Sequence, residues 1–247
     1  MSLNGVGLVG LLFLAFFGVL LPIVAFRQRD RLTSIRPRPT RRQVYPSVIV
    51  QLTFFLILGL LTAWREGIAF WRWPQNVALP SLVTLAILGV MTLATRPIMR
   101  AAVEQREPRA YFVMPDGPGE MSLWIAVSVM AGIAEEFVYR WVFADLATRL
   151  TGSLPVAWTF AILAFAIAHA NLGVRSMVMV AAFSLVAHLL VYTTRTLLFA
   201  IVVHAAYDVI AGFQYVRLGH QLGYPTDGLP DAATDDAVTA PPATSSP

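Results

Sequence analysis

Apolar residues in this chain gather into seven runs, at about 5–26, 47–64, 79–95, 121–146, 154–172, 174–193 and 196–215. A helix needs roughly 20 such residues to cross the hydrocarbon core of a bilayer. No water inside that core satisfies a stray backbone N–H or C=O, so runs of this kind fold as helices. We therefore expect an all-α polytopic membrane protein with about seven transmembrane helices. Composition agrees: 57% of residues are hydrophobic and 13% charged, against about 25% charged in a soluble domain. The absence of cysteine excludes disulfides and thiolate metal sites.

Charge placement gives a topology. Seven arginines lie between Arg27 and Arg42, and Arg96, Arg100, Arg106 and Arg109 flank the third run. Basic loops stay in the cytoplasm, so 27–46 and 96–120 are expected inside, with the N-terminus outside and the C-terminus inside near Arg217. The first run lacks the leading basic residues of a signal peptide and reads as a retained anchor. Trp71, Trp73 and Tyr111 fall at expected span boundaries, where amphipathic rings belong. Residues 1–100 read as an anchor region with a basic loop and 101–120 as a polar connector. Residues 121–216 read as the functional core and 217–247 as a tail, disordered from Gln221 onward by its Pro, Ala, Thr, Ser and Asp content. The expected setting is a bacterial plasma membrane. Membrane lipid and a peptide or protein at the membrane are the expected partners. The basic block is a topology signal, so no nucleic acid is expected; oligomeric state is not legible.

Inside the fourth run stand Glu135, Glu136 and Arg140. Three isolated charges at the centre of a bilayer cost roughly 7–10 kcal/mol on insertion scales, and each apolar residue returns only about 0.3–0.6. These groups must therefore face protein or water, and they mark a functional site. Glu136 and Arg140 are four apart and share a helix face, while Glu135 points elsewhere. In the fifth run Phe165 and His169 share a face, and in the seventh His204 and Asp208 do. Singly, each has a bland reading: His169 as a core histidine, Glu136–Arg140 as a structural pair, Asp208 as a packing or relay group. His188 reads as packing, Asp145 as solvated at a span end, and His220 as uninformative. Together they supply two carboxylates and two imidazoles, a set that can activate water and stabilise an oxyanion. No His-Glu-x-x-His, Gly-x-Ser-Gly or Gly-x-Gly-Asp segment is present, which removes the usual zinc, rhomboid-like serine and aspartyl intramembrane protease patterns.

Glu-Glu-x-x-x-Arg at 135–140, Phe-x-x-x-His at 165–169 and His-x-x-x-Asp at 204–208 occur in order, each within an apolar run. This set resembles the three motifs of the CPBP family, the CAAX proteases and bacteriocin-processing (Abi) enzymes, over about residues 120–215. The resemblance implies an intramembrane endopeptidase with a conical cavity lined by the four C-terminal helices. It implies Glu135 as general base and His169 as its partner, with His204 and Asp208 at the oxyanion and Glu136, Arg140 and Phe165 supporting the site. The eukaryotic pattern often has Asn where this chain has Asp208. Zinc held by His169, His204 and Glu135 and a metal-free, glutamate-dependent hydrolysis both fit the pattern. Two other readings stand beside it: a non-proteolytic binding or bacteriocin self-immunity protein, and a proton-coupled transporter using Glu135 and Asp208. The transporter reading calls for broken helices and related halves, neither of which the sequence displays.

Overall fold

The computed structural model describes residues 2–35, 37–70 and 72–224. Trp71 and residues 225–247 lie outside the described residues; of the expected tail, 217–222 instead continue the last helix, which runs to Leu222. Six helices among the described residues are long and apolar enough to cross a membrane. They are α1 (Leu8–Arg27), α2 (Arg41–Glu66), α3 (Ala78–Glu104), α4 (Gly117–Thr151), α6 (Val174–Thr194) and α7 (Leu198–Leu222). The shorter apolar helix α5 (Leu154–Ala168) completes the set. An antiparallel pairing of Ser2–Leu3 with Val6–Gly7 precedes α1.

Helix α3 runs to Glu104, beyond the expected end at 95 and into the expected connector, and two further spans differ for physical reasons. The fifth run extends to 172, but α5 ends at Ala168 and gives way to a 3-10 turn, Ala170–Leu172. Its fifteen residues span about 22 Å, short of the roughly 30 Å hydrocarbon core. The stop leaves His169 at the helix end, inside the fold. The fourth span is a 35-residue helix whose middle, Glu136–Phe143, is π-helical. The wider π turn has no signature in residue spacing, and such segments concentrate at functional sites.

Helix α4 packs between α2 and α7, and α7 also packs along α3. Small residues set the α4–α7 approach. A Cβ on Gly132 would lie 3.0 Å from the Ile201 carbonyl oxygen and 3.0 Å from the Ala205 Cβ. Close backbone approach of this kind is how helices associate in lipid, where the hydrophobic effect does not press them together.

Buried or half-buried polar ties hold each end of the bundle. At one end the Arg41 guanidinium, 1% exposed, meets Glu120 at 2.7 Å and lies 4.1 Å over the Tyr111 ring. Tyr111 is therefore buried under a cation, not placed at the lipid interface. Arg109 pairs with Asp30, and the Tyr224 hydroxyl donates to the Glu107 carbonyl at 2.9 Å. Burial pushes that phenol up to about 12, so it remains a donor at neutral pH. At the other end the Glu66 carboxylate accepts from the backbone N–H groups of Gly7 and Gly10 at 2.9 and 2.8 Å. It thus caps the N-terminus of α1 from a neighbouring helix, where orphan donors need partners and negative charge is favoured. Asp145, partly exposed near the span end, also pairs with Arg149 at 2.6 Å.

Candidate active site

Midway along α4, Glu135 and Glu136 approach the same imidazole from opposite sides. Glu136 Oε1 lies 2.7 Å from His204 Nδ1, and Glu135 Oε2 lies 3.8 Å from His204 Nε2. The same Glu135 oxygen is 3.7 Å from His169 Nε2. Asp208, one turn beyond His204 on α7, holds Oδ2 3.6 Å from His204 Nε2. All four candidate site residues are thus brought to one place.

Helix endings and second partners orient both rings. Because α5 stops, the His169 backbone N–H bonds to Ala166 rather than Phe165. The freed Phe165 carbonyl accepts from His169 Nδ1 at 2.8 Å. A carbonyl only accepts, so His169 Nδ1 carries the hydrogen; the Glu136 carboxylate fixes His204 in the same way. In the neutral rings both Nε2 atoms are then acceptors directed at a carboxylate. Acceptors at 3.6–3.8 Å are too far apart for direct hydrogen bonds. A water molecule, which can donate to a carboxylate and to an imidazole nitrogen, is the group that links such acceptors.

The support residues are also in place. Glu136 is fully buried and spans His204 and Arg140, whose Nε lies 3.2 Å from Glu136 Oε2. The Arg140 guanidinium sits 4.1 Å over the Phe165 ring and 5.5 Å from that of Phe183. Phe165 packs edge-on to His169 at 4.5 Å, and Phe183 to His204 at 5.0 Å. Phe183 and Trp124 were not legible as site residues. Trp124 donates its indole N–H to the Asp208 carbonyl at 2.9 Å, an approach that Gly212 permits by lacking a Cβ. An apolar residue carries no spacing signal for such a role. His188 is buried and stacks on Trp158, and exposed His220 lies 4.0 Å from Asp116.

A cavity of about 580 Å³ runs from Glu135, His169, His204 and Asp208 to Glu107, Arg109 and Arg175 at the arginine-rich end. The four C-terminal helices line it as expected. Residues of α1, α2 and α3, such as Leu21, Tyr45 and Met99, complete the wall. The candidate zinc donors His169 and His204 stand 3.7 and 3.8 Å from Glu135, a few tenths of an ångström beyond the spacing of about 3.3 Å between tetrahedral donors with bonds of about 2.0 Å. Among the described residues no group of three or more His, Asp or Glu is arranged to hold a metal ion.

Residues 117–210 match the family model described as "Type II CAAX prenyl endopeptidase Rce1-like". The matched segment starts with α4 and ends two residues past Asp208, so it contains all three motifs. The match agrees with the CPBP resemblance drawn from those motifs and covers the same segment. The apolar helices make the chain an integral membrane protein. No curated protein and no solved structure matched the chain.

Proposed function

We propose that this protein is an intramembrane endopeptidase that hydrolyses a peptide bond of a membrane-associated substrate by glutamate-activated water. One observation carries the reading: Nε2 of His169 and Nε2 of His204 both lie within 3.8 Å of the same Glu135 oxygen, in a cavity that reaches one end of the bundle. A water held there gives a proton to Glu135, with His169 accepting its second hydrogen, and attacks the scissile carbonyl. The negative charge that develops on the carbonyl oxygen faces His204 and Asp208. His204 donates from Nε2 when that atom is protonated, and Glu136 on Nδ1 stabilises the resulting imidazolium, as the buried Asp does for the His of a serine-protease triad. Asp208, with Oδ2 3.6 Å from His204 Nε2, assists at the same oxyanion as a donor in its protonated form. Glu135 then returns the proton to the leaving amine. Arg140 and Phe165 hold Glu136 and His169 in register. None of these steps passes through a metal.

The arginines at the cavity end favour a cytoplasmic opening, an external N-terminus and a cytoplasmic C-terminus. The substrate enters through a mouth carrying Arg109 and Arg175 beside apolar walls, which suits an amphipathic chain terminus at the membrane surface. The name of the matched family points to prenylated C-termini as one such class. The test compares new peptide termini in membranes from cells expressing wild type or Glu135→Gln at matched levels. Termini found only with wild type support the protease and identify its substrate. Coincident profiles would overturn it in favour of a binding or self-immunity role.

A further inference from the structure

Behind the catalytic residues, on the side away from the cavity, lies a second group of buried polar atoms. The Arg140 guanidinium is completely buried, and its nearest acceptor is Glu136 Oε2, an ion-pair contact without hydrogen-bond geometry. Its three nitrogens have no hydrogen-bond partner among the described residues. On α6, Ser184 and His188 stand four residues apart and share a face. They are 0% and 2% exposed, and Ser184 Oγ and His188 Nε2 likewise have no partner. Phe183, which precedes Ser184, packs on the guanidinium at 5.5 Å and sets this stretch of α6 against Arg140.

Buried donors and acceptors are rarely left unmade in folded proteins. Here the chemistry is complementary: a guanidinium donates five hydrogens, whereas a hydroxyl and an imidazole nitrogen can accept. Buried waters typically bridge two to four such groups. We infer that Arg140, Ser184 and His188 enclose a buried water site, and that Ser184 and His188 are positioning residues for the reaction. The water ties Arg140 to α6, Arg140 steadies Glu136, and Glu136 fixes the His204 ring. The effect on rate rests on the hydrolase reading; the water site does not.

The test uses full-length protein with ¹⁵N-labelled histidine, reconstituted in lipid bilayers and observed by magic-angle-spinning NMR. The wild type should transfer water magnetisation to the His188 ring. Ser184→Ala and His188→Leu should shift the His204 Nδ1 resonance and slow Glu135-dependent cleavage about tenfold. Ser184→Thr and His188→Gln, which keep a hydrogen-bonding group, should restore both. Absence of water transfer to His188 would overturn the site. So would folded Ser184→Ala and His188→Leu proteins with an unmoved His204 resonance. If His188→Leu fails to fold, Ser184→Ala decides alone, because it removes one oxygen and leaves the Trp158 stack intact. Water transfer and resonance shifts without any detectable cleavage would uphold the site and count against the protease instead.

Discussion

Gly132→Ala places a methyl group where α4 and α7 meet beside the site. The new Cβ would lie 3.0 Å from the Ile201 carbonyl oxygen, 3.0 Å from the Ala205 Cβ and 3.2 Å from the Ala205 nitrogen. Two of these are backbone atoms, so relief requires the helices to part. Restoring ordinary contact of about 3.5 Å takes roughly 0.5 Å of separation. The Glu136–His204 bond, now 2.7 Å, would then stretch to about 3.2 Å, the edge of useful geometry. Overpacking costs about 1–3 kcal/mol, while replacing Gly by Ala in a helix returns about 1 kcal/mol. The net loss of stability is therefore small, about 0–2 kcal/mol, and the larger effect falls on the chemistry. A misplacement of 1 Å can cost about a hundredfold in rate, so half of that should cost roughly tenfold. The assay pairs thermal unfolding in detergent with the rate at which Glu135-dependent peptide termini appear. Gly89→Ala is the control, since its Cβ meets nothing within 4 Å. It should gain up to about 1 kcal/mol with full activity. A Gly132→Ala protein as active as wild type and as stabilised as Gly89→Ala would refute the reasoning.

Arg140→Ala leaves Glu136 as a buried charge shared only with His204, and breaking such a pair costs about 3–5 kcal/mol. Loss of folded protein in size-exclusion profiles is expected, whereas a folded but inactive protein would make Arg140 a direct participant. Gly212→Ala sets a Cβ 2.3 Å from the Trp124 indole nitrogen, and displacing that ring should cost about 1–3 kcal/mol. A shift in tryptophan emission measures the displacement, and an unchanged spectrum with full stability would speak against the Trp124–Asp208 tie. Treatment with a zinc chelator should leave cleavage unchanged, because the proposed steps use only Glu135, His169, His204 and Asp208; loss of activity restored by added zinc would reverse that conclusion.

Much of the site was legible because its chemistry is costly in a membrane. Charges in an apolar run must converge, and the four-residue spacings put Glu136 with Arg140, Phe165 with His169 and His204 with Asp208. The apolar runs likewise located the helices. What escaped depends on neighbours distant in sequence. The bond from His204 to Glu136, 68 residues away, and the contribution of α2 and α3 to the cavity wall are set by packing. The end of α5 was hidden because Ala170 and Leu172 continue the apolar run beyond the helix. Tyr111 carried the signature of an interfacial ring, and only the fold brings Arg41 over it. The π segment came from a shift of backbone hydrogen bonds that side-chain spacing does not encode. His188 carried the signature of packing, and its relation, with Ser184, to Arg140 required α6 to be set beside α4.

The central claim is that Glu135 activates a water for peptide hydrolysis. The most direct measurement uses purified protein in lipid nanodiscs and a peptide spanning the cleavage site identified from the new termini, incubated in ¹⁸O-water. The account predicts one ¹⁸O atom in the new carboxyl terminus with wild type. It predicts no cleavage by folded Glu135→Gln protein. Cleavage by Glu135→Gln at the wild-type rate would contradict it.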